Sequence, residues 1–272
     1  MKKCMHRVLG GIGMLLLASF MAACGSPLAA DLGLARTSQQ GTSLIAGPEA
    51  PNLGLAATFA VFGGGAGVTN QGTGTVITGN LGTTGASTMI TGFHSSAFSY
   101  TETPLNVGAV SGSIYTNAPQ ETAATFAIAT ATAADALAAF NDLASRPDGM
   151  DPGAGQLGGL TLAPGVYKAA AGAFLITGSD LTLDAQGNAD AVWIFQMASS
   201  LTVGAPAAPR SVILVNGAQA SNVYWQVGSA ATINGAGGGS MVGTIIARAG
   251  VTFSTAGNLT ATILKRGNLA PA

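Results

Sequence analysis

From position 53 onward, hydrophobic and polar residues alternate in short bursts. Apolar, β-branched runs occur at 59–62, 75–78, 174–177, 181–184, 192–196, 201–203, 212–215, 223–227, 231–234, 242–247, 251–254 and 259–264, separated by Gly, Asn and Ser. Alternate side chains leave opposite faces of a strand, so a short run of this kind closed by turn residues reads as one strand. Strands this brief and numerous predict a mainly β domain.

One stretch breaks the rhythm. Residues 119–143 are Ala-rich and free of Gly, follow Asn117 and Pro119, and place Phe126, Ala133, Leu137, Phe140 and Ala144 at helical spacing. The pattern predicts a single amphipathic helix, ended by Arg146-Pro147-Asp148-Gly149, whose small side chains let it lie close to a sheet.

The strands also repeat in content. Apolar-Thr-apolar triplets centre on Thr182, Thr202, Thr232 and Thr252, with gaps of twenty, thirty and twenty residues. A period near twenty suits a β-solenoid, whose coils each add one strand to each of several flat faces. The residues flanking each Thr then point inward and the Thr points out, so stacking forms a ladder with rungs about 4.8 Å apart. A sandwich or a barrel also accommodates short strands, but neither explains the lone helix or the recurring triplet.

The first 52 residues are of another kind. Lys2, Lys3 and Arg7 precede an apolar run from about Val8 to Phe20, and small residues follow it. This is the layout of a secretory signal, shorter than the roughly 20 apolar residues of a membrane span. The ending Met21-Ala22-Ala23-Cys24 resembles the bacterial lipobox. That likeness implies a signal peptide over 1–23, a lipid anchor on Cys24 that holds the protein to a membrane and, with Ser26 rather than Asp two positions on, display at the outer membrane or cell surface. Residues 24–52 show no sustained period and read as a flexible tether.

Composition narrows the chemistry. Removing 1–23 takes three of ten basic residues and none of the eleven acidic ones, which leaves seven against eleven, net −4. No basic face remains for nucleic acid. Cys4 leaves with the signal and Cys24 takes the lipid, so no thiol is free for a disulfide, a metal or catalysis. Charged residues make up 8% of the chain, against about a quarter in typical soluble proteins. The surface is therefore built mainly of Thr, Ser, Asn, Gly and Ala.

Catalytic candidates are few. Asp180, Asp184 and Asp190 lie close together, but the first two flank a strand beside Gly and Asn, which reads as turn chemistry. His94 is the one histidine after the signal and lacks the context of a Ser-His-Asp triad. Gly153-Ala-Gly-Gln-Leu-Gly158 formally matches GxGxxG, yet follows a helix and precedes a strand, the reverse of a dinucleotide site. Trp193, Phe195, Tyr224 and Trp225 would stack on sugars if exposed, but their strands read as core. No enzyme activity, cofactor or metal is expected.

Several blocks in order carry a family resemblance. They are LGLAATFAVF from Leu53, VTNQGTGTVITGNLG from Val68, LAPGVY from Leu162, LTLDAQG from Leu181, AVWIFQ from Ala191, VNGAQASNVYWQVG from Val215 and VGTIIA from Val242. Together they resemble the microbial ice-binding proteins. The resemblance implies a right-handed, discontinuous β-solenoid of roughly triangular section over 53–272, with N-terminal strands completing coils begun by the C-terminal part and the helix packed alongside. It also implies ice as partner, bound by a monomer, and marks Thr255-Ala256-Gly257-Asn258 as a family-like element. Glycines at 235 and 237–239 stand where many members have threonine, and the chain stops at Ala272 where members often have a further strand.

Ice is an uncharged solid lattice of water oxygens. A surface that binds it should be flat, rigid, weakly hydrated and studded with hydroxyl and methyl groups at regular spacing. A threonine ladder meets these needs, since coil stacking fixes one spacing and strand rise the other. The expected site is one face carrying Thr182, Thr202, Thr232 and Thr252, extended by Ser254, Thr255 and Asn258. The competing expectation is a surface adhesin of the same fold for carbohydrate or another surface, which exposed aromatics along a groove would support.

Overall fold

Parallel pairing joins nearly all the strands, because the chain winds in coils that bring equivalent segments side by side. The computed structural model describes residues 47–117, 122–147 and 149–254, together with the backbone of the strands Thr262–Ile263 and Asn268–Leu269. Among these, only the short hairpin of Phe93–His94 with Ser99–Tyr100 pairs antiparallel as strands.

Three sheets share the C-terminal coils. The chain runs from a helix-side strand, Trp193–Met197, to Leu201–Val203 in a second sheet, to Val212–Val215 in a third, and back to the helix side at Val223–Val227. The helix-side sheet has eight strands in the order Gly165–Lys168, Trp193–Met197, Val223–Val227, Thr244–Ala247, Asn268–Leu269, Phe59–Phe62, Asn80–Ala86 and Ile114–Asn117. Phe59–Phe62 thus lies between Asn268–Leu269 and Asn80–Ala86. The N-terminal strands complete the stack where the C-terminal coils end, which is the discontinuity that the family resemblance implies.

Alternation within each strand fills the interior. Trp193, Phe195 and Trp225 point inward and are fully buried. Phe195 and Trp225 stack with ring centroids 4.1 Å apart and planes 9° from parallel, and Tyr167 stacks on Phe195 at 5.4 Å. Parallel in-register strands place identical positions above one another, so one aromatic per coil becomes a continuous pile. Both indole N–H groups are satisfied, Trp193 donating to the Leu162 carbonyl and Trp225 to that of Val242.

The helix spans Ala123–Ser145, beginning and ending later than the 119–143 predicted from sequence. Thr122 caps it reciprocally with Thr125, which satisfies amides that no helical turn can reach. It stops at the residue pair before Pro147, where helical backbone is disfavoured. The buried stripe is Ala129, Thr132, Ala136, Ala139, Phe140 and Leu143, packed on Leu53, Phe59, Phe62, Ile194, Tyr224 and Ile246. Leu137 and Ala144, expected on the apolar face, are exposed. Alanine on every side of the helix leaves its sequence with little contrast, and the sheet takes the face that approaches most closely. Gln196 reaches out of the sheet and donates to the carbonyls of Leu143 at 2.8 Å and Arg146 at 3.1 Å, partnering two acceptors at the helix end.

Candidate functional site

The second sheet leaves its outer side open. Its four strands are Phe174–Ile176, Leu201–Val203, Ala230–Asn234 and Gly250–Ser254. Their register aligns Leu175, Thr202, Thr232 and Thr252 in one column. The residues on either side, Phe174 and Ile176, Leu201 and Val203, Ala231 and Ile233, are buried and fix the backbone. Thr202 and Thr232 are half-buried by their neighbours in the column, and Thr252 is exposed. Three threonines therefore stand in register at the ~4.8 Å spacing of paired strands, with χ1 restricted by β-branching.

A second column runs along the corner shared with the helix-side sheet. The amide of Ser199 donates to the Gly172 carbonyl, that of Ser229 to Ser199 and that of Ala249 to Ser229, at 2.7 to 2.9 Å. Ser199 and Ser229 are exposed, each three residues ahead of a ladder threonine. Arg248 is the charge closest in sequence to this corner, and its guanidinium lies over the Phe140 ring, 5.2 Å from the centroid, on the helix side. At the opposite edge, buried Asn234 donates to the carbonyls of Val203 and Gly204. Gly204 has φ +69°, and a Cβ there would come within 2.7 Å of the Asn234 carbonyl oxygen, so this tight corner requires glycine.

The expected face needs one correction. Thr182 belongs to the third sheet, where Thr161, Thr182 and Ile213 align. The twenty residues from Thr182 to Thr202 cross the helix-side strand and cover only part of a coil, whereas the thirty from Thr202 to Thr232 make a full one. A shared triplet does not mean a shared face. The third sheet contains no strand from 235–243; there the Val212 amide donates to the Ser240 carbonyl and the Ser240 amide to the Ser211 hydroxyl. Ser254 is exposed at the end of the last ladder strand. Thr255, Asn258 and Cys24 lie outside the described residues.

Sequence reasoning missed a further pair. Val68–Thr69 and Ile90–Thr91 form a two-stranded parallel sheet that aligns Thr69 with Thr91. Each follows a helix-side strand, the stage of the coil that the ladder strands occupy further along. Two-residue strands, each with a glycine on one side, carry too little periodicity to be recognised.

The other candidates take structural roles. Asp180 accepts a hydrogen bond from the Ser211 amide, and Asp184 from the Gln186 amide and the Asn216 side chain. The Asn216 bond, with help from Gln186, holds the Asp184 carboxyl below its ordinary pKa. Asn188 accepts from the Asp190 amide, and His94 Nδ1 lies 2.6 Å from Glu102. Among the described residues no three His, Cys, Asp or Glu side chains gather as metal ligands. Gly153–Gly158 is part of the segment that closes the edge of the solenoid, with Gln156 bridging Leu175. Trp193, Phe195, Tyr224 and Trp225 are all buried. A groove of about 380 Å³ runs beside the helix, lined by Glu49, Asn52, Asp135, Asp142 and Arg146 among others and by no aromatic residue. The stacking platform that a sugar site would need is absent from it.

Comparison with known proteins gives one consistent result. The chain is 38% identical over 204 residues to an ice-binding protein of Nostoc sp. (strain HG1), covering 75% of this chain and 64% of that relative. It is 35% identical over 211 residues to ice-binding protein K3-B1 of Typhula ishikariensis, covering 76% and 81%. Among solved structures, the DUF3494 domain of Shewanella frigidimarina ice-binding protein_1 superposes with a TM-score of 0.63 at 29% identity, covering 79% of this chain and 93% of that one. An ice-binding protein from an Antarctic biological consortium gives 0.59 at 33% identity, covering 82% and 89%. Residues 62–270 match the family described as Ice-binding-like, and with the interrupted parallel solenoid, its flanking helix and its open threonine sheet, the chain belongs to that family.

Proposed function

We propose that this protein binds ice through the outer side of the threonine sheet, and so slows ice growth and recrystallisation or holds its cell to ice. The observation that carries this reading is the in-register column Thr202, Thr232 and Thr252 on a backbone clamped by buried neighbours. Water held between methyl and hydroxyl groups at fixed spacing forms an ordered layer that merges with the crystal. Because the column is rigid before contact, little entropy is lost on ordering it. The deciding experiment is partition of the purified domain into a slowly growing ice hemisphere. Enrichment in the ice is expected, and a protein excluded like an inert control would end the reading.

The same proposal covers the setting. Cys24 carries the lipid anchor, the residues after it up to position 46 serve as the tether, and the solenoid is displayed at the outer membrane or cell surface as a monomer. The tether is shorter than the 24–52 expected, because Glu49 and Asn52 line the groove beside the helix and Pro51 is buried. A Cys24→Ser variant should move from the membrane fraction to the soluble fraction, because lipobox processing needs the thiol. If variant and wild type fractionate alike, the anchor is excluded.

A further inference from the structure

We infer that Leu175 ends the ice-facing array, and that the side chain at this single position decides whether the sheet offers three rungs or four. This rests on the ice-binding reading above. Leu175 stands directly beside Thr202 in the register, in the column that continues to Thr232 and Thr252. Its backbone is held as firmly as theirs. The Leu175 amide donates to the Gly155 carbonyl at 2.8 Å, its own carbonyl accepts from the Leu157 amide at 2.7 Å, and Phe174 and Ile176 on either side are fully buried. The residue is nonetheless 39% exposed.

Core packing does not explain a leucine here. The inward positions of this strand are already filled, and a strand favours threonine at least as well as leucine on its outer side. The isobutyl group reaches one bond further from the backbone than a threonine side chain and carries no hydroxyl. It therefore interrupts both the plane and the pattern at the last rung before the closing segment. Gln156 bridges Leu175 from that segment and is held by Thr177 and Gly158, so the column has no further strand in this direction.

The test compares Leu175→Thr with Leu175→Val, which matches threonine in shape but lacks the hydroxyl, using thermal hysteresis at equal concentration with Thr202→Tyr as reference. Leu175→Thr should exceed wild type and Leu175→Val, with the melting temperature little changed in both. A Leu175→Thr variant no more active than wild type, or a Leu175→Val variant equal to it, overturns the missing-rung inference. Loss of activity in Leu175→Thr also overturns it, by making the leucine itself a contact. If Thr202→Tyr abolishes hysteresis while either of those results appears, only this inference falls. If Thr202→Tyr has no effect, the site on this face falls with it.

Discussion

Two neighbouring sheets of the same coils meet opposite surroundings. Trp193–Met197 is buried at every position, whereas Leu201–Val203, only a short turn later, buries its ends and presents Thr202 to solvent. Both are parallel ladders of the same stacked repeat. On the helix side the outward residues include Ile194 and Tyr224, in register with each other, and Ile246 in the neighbouring column, covered by small helical residues; on the other they are hydroxyl and methyl, left open. The backbone geometry is common property, and the side chain facing away from the core decides whether a ladder becomes interior or interface. A ladder selected for packing tolerates no gap, while one selected for a solid ligand tolerates no bulk.

The difference implies that equal substitutions should act differently on the two sheets. The largest effect on folding is expected for Trp225→Ala, which removes the ring stacked at 4.1 Å on Phe195 and leaves the Val242 carbonyl without its donor. Truncation of a buried aromatic costs about 3–5 kcal/mol, to be read from chemical denaturation. A loss below about 1 kcal/mol would mean that the aromatic pile is not the scaffold of the open face.

Gln196→Ala comes next and tests the cover rather than the core. It deprives the Leu143 and Arg146 carbonyls of one donor each at the end of the helix. A buried acceptor left unsatisfied costs about 1–3 kcal/mol. Hydrogen exchange should quicken in the last helical turn first, and unchanged exchange there would show that apolar contact alone holds the helix.

Thr232→Tyr reverses the balance. An outward substitution shifts stability by about 0.5 kcal/mol or less, so the melting temperature should hardly move. Hysteresis should fall sharply, because the ring stands proud of the plane in the middle of the column. Full activity in this variant and in Thr202→Tyr would move the site elsewhere. Asp184→Asn, at an exposed turn away from the ladder, should leave ice activity intact.

Much of the architecture could be read from the chain because solenoid strands repeat their own pattern. The runs at 181–184, 201–203, 212–215 and 223–227 coincide with observed strands. Asn80–Ala86 escaped notice because glycine occupies positions where a β-branched residue would have signalled a strand. At Gly82 a Cβ would lie 2.8 Å from the Phe59 ring, so packing forbids the residue that would have announced the element. The candidate site was legible to the level of its residue type but not its geometry. The triplet pointed to Thr202, Thr232 and Thr252, which do share one column, yet gave Thr182 to the wrong face, since coil length varies and only pairing reveals which turns are complete.

The smallest effect is expected at the end of the stack, where Asp151 pins the segment that covers the strand edges. Burial pushes its carboxyl up, but amides of Gly155, Ala170 and Gly153 donate to it and together hold it below its ordinary pKa. A lowered folded-state pKa means that the contribution is fully present above the unfolded value, near pH 4, and is lost as pH falls through the folded value. Melting temperature in the wild type should therefore decline more steeply below about pH 4 than in Asp151→Asn. The variant keeps one acceptor oxygen for Gly153 and Gly155 but offers Ala170 an amide in place of an acceptor, so at neutral pH it should be slightly less stable. Its loss should appear as faster exchange in the covering segment and not in the ladder. Parallel acid curves for the two proteins would show that the pinning does not depend on the charge, and the cover would then be held by its backbone bridges to Tyr167 and Leu175.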